Sequence, residues 1–392
     1  MEYQTRRGML RWTAGLAGAT LGGGLLAACG QSGSGGGGTT TGGESGAKIG
    51  TAFALTGPAA VYGQAQRNAV QLAAQEINGG AIPGLKLEVL YEDDAGDKAA
   101  GTNVFQKFIN QDKVLAIIGP TLSDVALAAD PIAQQAGVPV LGVSNTATGV
   151  TQIGNFIFRD SLTESVVIPN TVKRSKDKLG LKRVAILYGN DDAFTQSGYE
   201  EFKKALDANG VAISSTQTFA KADKDFSAQL TQIKGTNPEA LVCSALIAAA
   251  VGIVTQARQL LGETIPIVGG NGFNSPALMQ QAGKAAEGVV VGAAWNSASA
   301  NPKSQAFINA YKARYNSEPD QFAAQAHAGL YIMGEAIKKA GANPSRDAVR
   351  KTLGEIKGLS TVLGSFSFTA GRDADHPPVV QVVRDGKFAL VE

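Results

Sequence analysis

The chain has 392 residues, 44% of them apolar and 17% charged, which predicts two domains or three and excludes wholesale disorder. Two cysteines and two histidines exclude a disulfide framework and leave too few ligands for a structural zinc or a multi-histidine metal centre, so no metal or cofactor is expected. The formal charge of +2 comes from the leader: residues 1–28 hold Arg6, Arg7, Arg11 and Glu2, and taking them from 35 basic and 33 acidic residues leaves 32 of each, a balance that points away from nucleic acid.

Thr5-Arg6-Arg7-Gly8-Met9-Leu10-Arg11 sets a twin arginine ahead of an uncharged stretch, Thr13 to Ala28. Those 16 residues fall short of the ~20 needed to span a bilayer as a helix. The stretch reads as the apolar region of an export signal, and the twin arginine resembles a twin-arginine translocation signal. Leu26-Ala27-Ala28-Cys29 matches the lipobox of bacterial lipoproteins, with cleavage before Cys29 and lipid on its sulfur. Residues 1–28 are expected to be a signal peptide and 29–46 a lipidated cysteine with its tether. Nine of the seventeen residues from Gly30 to Gly46 are glycine. A Gly-rich chain of that length holds a domain ~20–25 Å from its anchor. Gly33, Gly35 and Gly38 match a GxGxxG spacing, but no strand precedes them and no helix follows, so they form no nucleotide site.

From Lys48 strands alternate with helices. Ile49–Leu55 is a short apolar run. Tyr62–Ile77 repeats apolar residues at helical spacing and stops at Gly79-Gly80. Strands follow at Leu85–Tyr91, Val114–Gly119 and Val138–Val143, with helices at Ala99–Gln111 and Ser123–Ala136. After a gap near Arg159–Thr163 the rhythm resumes. Strands are expected at Val184–Tyr188, Val211–Phe219, Ala240–Ala245 and Ile265–Gly269. Helices alternate with them at Thr195–Asn209, Phe226–Lys234 and Ala248–Leu261. Three helices then come without a strand between them: Pro302–Tyr315, Phe322–Lys339 and Arg346–Ile356. Short β runs at Val379–Val383 and Phe388–Val391 close the chain. The alternation predicts βαβ units and parallel sheets. The expected fold is α/β: two doubly wound lobes joined by a hinge, 47–163 with 296–365 as lobe 1 and 164–295 with 366–392 as lobe 2. Facing carboxyl ends of their strands would enclose a cleft.

HExxH, GxSxG, GxxxxGK[ST] and CxxC are all absent. His327 and His376 have no motif-placed nucleophile and read as structural or surface residues. Asp93-Asp94 and Asp191-Asp192 sit at strand ends, where carboxylates cap helices more often than they do acid–base work. Cys243, in an apolar strand, reads as a buried small hydrophobe. Gly119-Pro120-Thr121-Leu122-Ser123-Asp124 joins a strand to a helix, a turn whose N–H groups and dipole favour an anion. Ser144-Asn145-Thr146-Ala147-Thr148 follows the next strand on the same sheet edge. Together they form a cradle for a carboxylate, with helix capping by Ser and Thr as the local alternative.

These residues resemble the solute-binding lipoproteins of branched-chain amino acid ABC transporters, the leucine/isoleucine/valine-binding type with the type I periplasmic-binding fold. The resemblance covers about Lys48 to Glu392. Its signposts run in the family's order: Thr56-Gly57-Pro58 through Tyr62-Gly63, Glu76-Ile77-Asn78-Gly79-Gly80, Tyr91-Glu92-Asp93-Asp94, Ile118-Gly119-Pro120 with Ser123, and Gly137-Val138-Pro139. Then come Asn145-Thr146-Ala147-Thr148, Asp225-Phe226-Ser227, Gln256-Ala257-Arg258, Ala286-Glu287-Gly288-Val289 and Arg384-Asp385-Gly386-Lys387-Phe388.

The resemblance implies that Ser123 and the turn at Thr146 hold a ligand α-carboxylate. It implies that the Ser144 carbonyl and the Thr146 hydroxyl help hold its α-ammonium, and that Tyr62 lines the cleft. The opposite lobe would supply Phe194, while a second aromatic is lost near Leu246 or Ile247. The largest departure is Asn271, where an acid that pairs with the ammonium is usual. Two readings stand: another acid such as Asp192 approaches from elsewhere, or the ligand keeps a carboxylate or amide but lacks a free ammonium. Two cysteines that some family members bridge are also absent, at about Gly96 and Leu122. The implied partners are a small solute, a permease with its ATPase, and the membrane through lipid on Cys29, with the protein a monomer on the outer face of the cell membrane. A hydrolase and a sensor uncoupled from transport are the competing classes.

Overall fold

A computed structural model describes residues 45–391. The export signal, the lipobox with Cys29, and the tether up to Glu44 lie outside the described residues. Ser45–Phe53 forms β1, followed by α1 (Ala60–Glu76) and a π-helical turn through Ile77–Ala81. Next come β2 (Leu85–Asp93), α2 (Lys98–Lys107), β3 (Ala116–Ile118), α3 (Ser123–Gln135), β4 (Val140–Gly142) and β5 (Ile157–Arg159). The five strands pair in parallel in the order β2-β1-β3-β4-β5. Gly119 shows how tightly this sheet is wound. It has φ +112°, and a Cβ there would lie 2.1 Å from the Ala52 carbonyl oxygen, so only glycine fits.

The second sheet begins after α4 (Glu164–Leu179) with β6 (Arg183–Gly189), α5 (Ala193–Ala208), β7 (Ala212–Phe219) and α6 (Ser227–Gly235). It continues through β8 (Ala240–Ser244), α7 (Ile247–Leu260), β9 (Ile267–Gly269), α8 (Ala277–Ala282) and β10 (Val290–Ala293). The helices α9 (Pro302–Tyr315), α10 (Gln321–Ala340) and α11 (Arg346–Gly354) return to lobe 1, where α10 packs against α1. A small antiparallel ribbon follows, β11 (Leu359–Thr361), β12 (Gly364–Phe368) and β13 (Ala374–Asp375). Finally β14 (Val379–Arg384) and β15 (Lys387–Leu390) add an antiparallel edge to the second sheet, giving β15-β14-β10-β9-β8-β6-β7.

Both sheets therefore repeat one winding. The first strand of each lies between its second and third, β1 between β2 and β3, and β6 between β7 and β8. The reversal of order leaves a crevice at the carboxyl ends of these strands. The chain crosses between lobes three times: after β5, after β10 and after β13.

The expected α/β fold of two doubly wound lobes is what the chain adopts. Seven of the labelled elements were not anticipated: β5, α4, α8, β10, β11, β12 and β13. The strands β5 and β10 are three and four residues long, too short to show a period. The helix α4 buries Val167, Ile168, Thr171, Val172 and Ser175 at helical spacing, a pattern interrupted by Pro169. The expected return to lobe 2 at residue 366 is corrected. Phe366, Phe368 and Ala374 belong to the lobe 1 core, and Phe368 stacks edge-on against Phe158 at 5.2 Å. The apolar side chains of the ribbon need that core, so the crossing falls after Asp375.

The core is not confined to single lobes. One buried cluster joins Ala59, Tyr62, Leu122 and Phe322 of lobe 1 to Phe219, Ile247 and Phe273 of lobe 2. The lobes are packed against each other across the cleft.

Candidate functional site

The loops that leave β1, β3 and β4 face those that leave β6, β8 and β9. Between them lie two adjoining chambers of about 20 Å³ and 50 Å³. The first is bordered by Tyr62, Ser123, Ser144, Phe194, Asn271 and the ring of Phe322. Five of the six expected ligand contacts are thus gathered at one place from both lobes. Pro58, Ala59, Phe219 and Ala249 wall the second chamber, and Lys221 borders it.

The polar side chains of the first chamber are held by hydrogen bonds. Ser123 opens α3, whose first N–H groups have no intrahelical partners. Its Oγ accepts from the Ala147 N–H at 3.3 Å, which ties the two polar turns together. Ser144 Oγ donates to the Thr121 carbonyl at 2.6 Å and accepts from Gln66 Nε2 at 2.8 Å. Thr121 Oγ1 in turn donates to Gln66 Oε1 at 2.7 Å. The Gln66 amide thus locks both turns from α1.

Thr146 departs from its expected place. Its Oγ1 donates to Glu164 Oε1 at 2.7 Å, and it does not border the chambers. Burial pushes the Glu164 carboxyl up to about 7, against the opposing pull of the Thr146 hydroxyl and Arg159. Near neutrality this acid stands close to its midpoint, and Thr146 reads as a support for the turn.

Tyr62 bonds across the cleft. Its Oη donates to the Gly272 carbonyl at 2.5 Å and accepts from the Ile247 N–H at 2.8 Å. Its ring packs on Phe322 with centroids 4.5 Å apart, and burial raises its pKa beyond any physiological range. Gly272 approaches the chain so closely that a Cβ would meet the Ala245 carbonyl oxygen at 2.3 Å. Other bonds close the lobes. Asp124 Oδ1 accepts from the Ala193 N–H at 2.9 Å, Ser197 Oγ accepts from the Thr148 N–H at 3.1 Å, and Asn271 Oδ1 accepts from Gln321 Nε2 at 2.5 Å.

Asp192 also borders the first chamber, so one buried carboxylate does face it from lobe 2. Phe322 and Gln321 were missed by sequence reasoning. They open the returning helix α10, and nothing local marks a helix start as part of a cleft built some 200 residues earlier. The two positions of the absent cysteine pair are neighbours, with Leu122 Cδ1 3.1 Å from where a Cβ on Gly96 would sit. Cys243 is buried with a raised thiol pKa. His327 lies outside the cleft and pairs with Glu76 Oε2 at 2.9 Å. Among the described residues no group of acidic, His and Cys side chains could hold a metal ion, and no helix is long and apolar enough to cross a membrane.

The family model for periplasmic binding proteins matches residues 46–387. The Leu/Ile/Val-binding protein BraC3 of Rhizobium johnstonii is 29% identical over 328 residues, 82% of this chain and 86% of the relative. Among solved structures, the branched-chain amino acid transporter substrate-binding protein LivJ of Streptococcus pneumoniae, in complex with isoleucine, is 31% identical with a TM-score of 0.82, covering 87% of this chain and 97% of its own. A solute-binding protein of an ABC transporter from Rhodopseudomonas palustris, in complex with 3,4-dihydroxybenzoic acid, is 26% identical with a TM-score of 0.80, covering 88% and 96%.

Proposed function

Because the chain belongs to the periplasmic binding protein family, the extracytoplasmic solute-binding components of ABC transporters, we propose that it captures a small solute resembling a branched-chain amino acid between its lobes and delivers it to a permease. The observation that carries this reading is the meeting of Tyr62, Ser123, Ser144 and Asn271, drawn from both lobes, around one chamber. The Ser123 hydroxyl and the first turn of α3 suit a carboxylate. Closure is a hinge motion in which ligand contacts favour the shut form.

A second reading rests on Asn271. A charged hydrogen bond contributes ~1.5–3 kcal/mol and a neutral one ~0.5–1.5, so a neutral side chain there favours a carboxylate without an ammonium by comparison. The complex of the Rhodopseudomonas relative with an aromatic acid keeps that class in view. A thermal-shift screen of amino acids against aliphatic and aromatic carboxylates separates the two, since bound ligand stabilises by RT ln(1 + [L]/Kd). No shift with any member of either class would overturn the solute-capture reading.

The N-terminal sequence supports export through the twin arginine and anchoring through lipid on Cys29; the protein is read as a monomer that captures its solute without turnover. Replacing Cys29 by alanine is expected to release the protein from membranes. Retention there would overturn the anchor.

A further inference from the structure

Three residues border both chambers, Leu122, Asp192 and Leu246, and Asp192 alone among them is polar. Its carboxylate stands between the chamber bordered by Ser123 and Ser144 and the one walled by Pro58, Ala59, Phe219 and Ala249 with Lys221 at its border. One oxygen, Oδ1, accepts from the Thr195 N–H at 3.0 Å and caps α5. The other, Oδ2, has Lys221 Nζ at 3.5 Å, at the limit of a hydrogen bond. The two partners are unequal. The side chain of Asp192 is 3% exposed and that of Lys221 36%. Burial, and then the nearby Asp124 carboxylate, push the pKa of Asp192 upward, so this anion is short of positive charge.

On the reading that the protein captures an amino-acid-like solute, we propose that Asp192 is the residue that recognises the solute's amine, and that Lys221 is its exchangeable counter-ion. A primary ammonium entering between the chambers would sit beside the carboxylate, with the carboxylate of the solute toward Ser123 in the first chamber and its tail against Pro58, Ala59, Phe219 and Ala249 in the second. Lys221 can yield without being stranded. Its side chain reaches solvent, and its own N–H is held by the Asp191 carboxylate at 2.8 Å, which fixes the backbone while the ammonium moves. The neutral amide at Asn271 is then free for its role across the cleft, accepting from Gln321. The acid that reads the amine comes from the loop after β6 instead of the loop after β9.

Calorimetric titration of the purified protein with L-leucine and with 4-methylpentanoate, the same skeleton without the amine, tests this, with 3,4-dihydroxybenzoate as third probe. Leucine is expected to bind at least tenfold tighter than 4-methylpentanoate. Asp192→Asn, which keeps a helix-capping oxygen for Thr195, is expected to lower leucine affinity at least tenfold and leave 4-methylpentanoate unaffected. Lys221→Met, which removes the competing cation, is expected to raise leucine affinity threefold or more. Leucine affinity unchanged in Asp192→Asn, or weakened in Lys221→Met, overturns the assignment and leaves the capture of amino acids standing. Binding of either carboxylate in preference to leucine overturns the assignment and favours the second reading of the cleft. If none of the three probes binds, the assignment and the amino-acid-like reading fail together.

Discussion

The Tyr62 hydroxyl and the Gly272 carbonyl, 210 residues apart, meet at 2.5 Å across the cleft. The same oxygen accepts from Ile247 N–H, so one side chain of α1 fastens the loops after β8 and β9 at once. Tyr62→Phe keeps the ring on Phe322 but strands a buried carbonyl and a buried N–H. Leaving a buried polar group unsatisfied costs about 1–3 kcal/mol. The cost falls on the shut form alone, because an open cleft returns both groups to water. Ligand affinity is therefore expected to drop at least fivefold while the urea midpoint of the unliganded protein moves little. Calorimetry and small-angle scattering with ligand would read both. Affinity equal to the parent's would mean that the bond does not bias closure.

Ser123 offers a sharper test of the carboxylate cradle. Its Oγ already accepts one bond, from Ala147 N–H at 3.3 Å, and its own proton remains for a ligand. Ser123→Ala is expected to weaken binding by a neutral hydrogen bond's worth, about 0.5–1.5 kcal/mol, or roughly two- to tenfold. Calorimetric affinity within error of the parent would remove Ser123 from the site.

Glu164 makes stability depend on pH. Burial raises its pKa from 4.5 to about 7, so folding favours the protonated acid. The stabilisation it gives is complete below pH ~4.5 and is lost as pH rises through about 7, where folding must pay to ionise it or hold its proton. Glu164→Gln keeps an oxygen for the Thr146 hydroxyl and cannot ionise. The difference in unfolding free energy between parent and variant should therefore move in the variant's favour by about 1–3 kcal/mol between pH 5 and 8. Other titrating groups cancel in that difference. Parallel stability curves would show that Glu164 ionises as freely in the fold as outside it.

The parts legible in the sequence were those with a long period or a local turn chemistry. The helix at Pro302–Tyr315 was placed to the residue, because Pro302 and its neighbours mark the start and the apolar spacing runs 14 residues. Ser123 and Ser144 are legible because the turns that follow their strands carry their own signature, whereas Tyr62 is named through the family resemblance alone. Thr146 illustrates the opposite case. Whether its hydroxyl faces ligand or Glu164 depends on a helix 18 residues on, and the sequence holds no sign of that choice. Phe322 and Gln321 reach the cleft only through the third dimension, on a helix that returns after a whole second lobe has been built. The part of the ribbon from residue 366 to 375 is expected in lobe 2 from its place in the chain, whereas the burial of Phe366, Phe368 and Ala374 sets it in the lobe 1 core.

Arg159 ties these distant parts together at the first crossing between lobes. It is 2% exposed. Its Nε meets Asp373 Oδ1 at 2.5 Å, and its Nη1 donates to the carbonyls of Asn145 at 3.2 Å and Ala147 at 2.7 Å. One guanidinium thus holds the ribbon, the end of β5 and the turn that supports Ser123. Arg159→Met fills most of the volume but removes the cation from Asp373 and the donor from the Ala147 carbonyl, while Thr151 Oγ1 still donates to Asp373 Oδ1 at 3.1 Å and Ser161 Oγ to the Asn145 carbonyl at 2.7 Å. Removing one partner of a buried pair costs about 3–5 kcal/mol, and the partial exposure of Asp373 sets the expectation near the lower figure. Because the turn at Asn145–Ala147 loses its clamp, ligand affinity should fall along with stability, although Arg159 borders neither chamber. Lys173→Met serves as the control. Its pair with Asp177 is exposed on α4, and such pairs contribute little, so neither the melting midpoint nor the affinity should move. If Arg159→Met lowers the midpoint while binding stays at the parent's level, the guanidinium supports the fold without shaping the cradle.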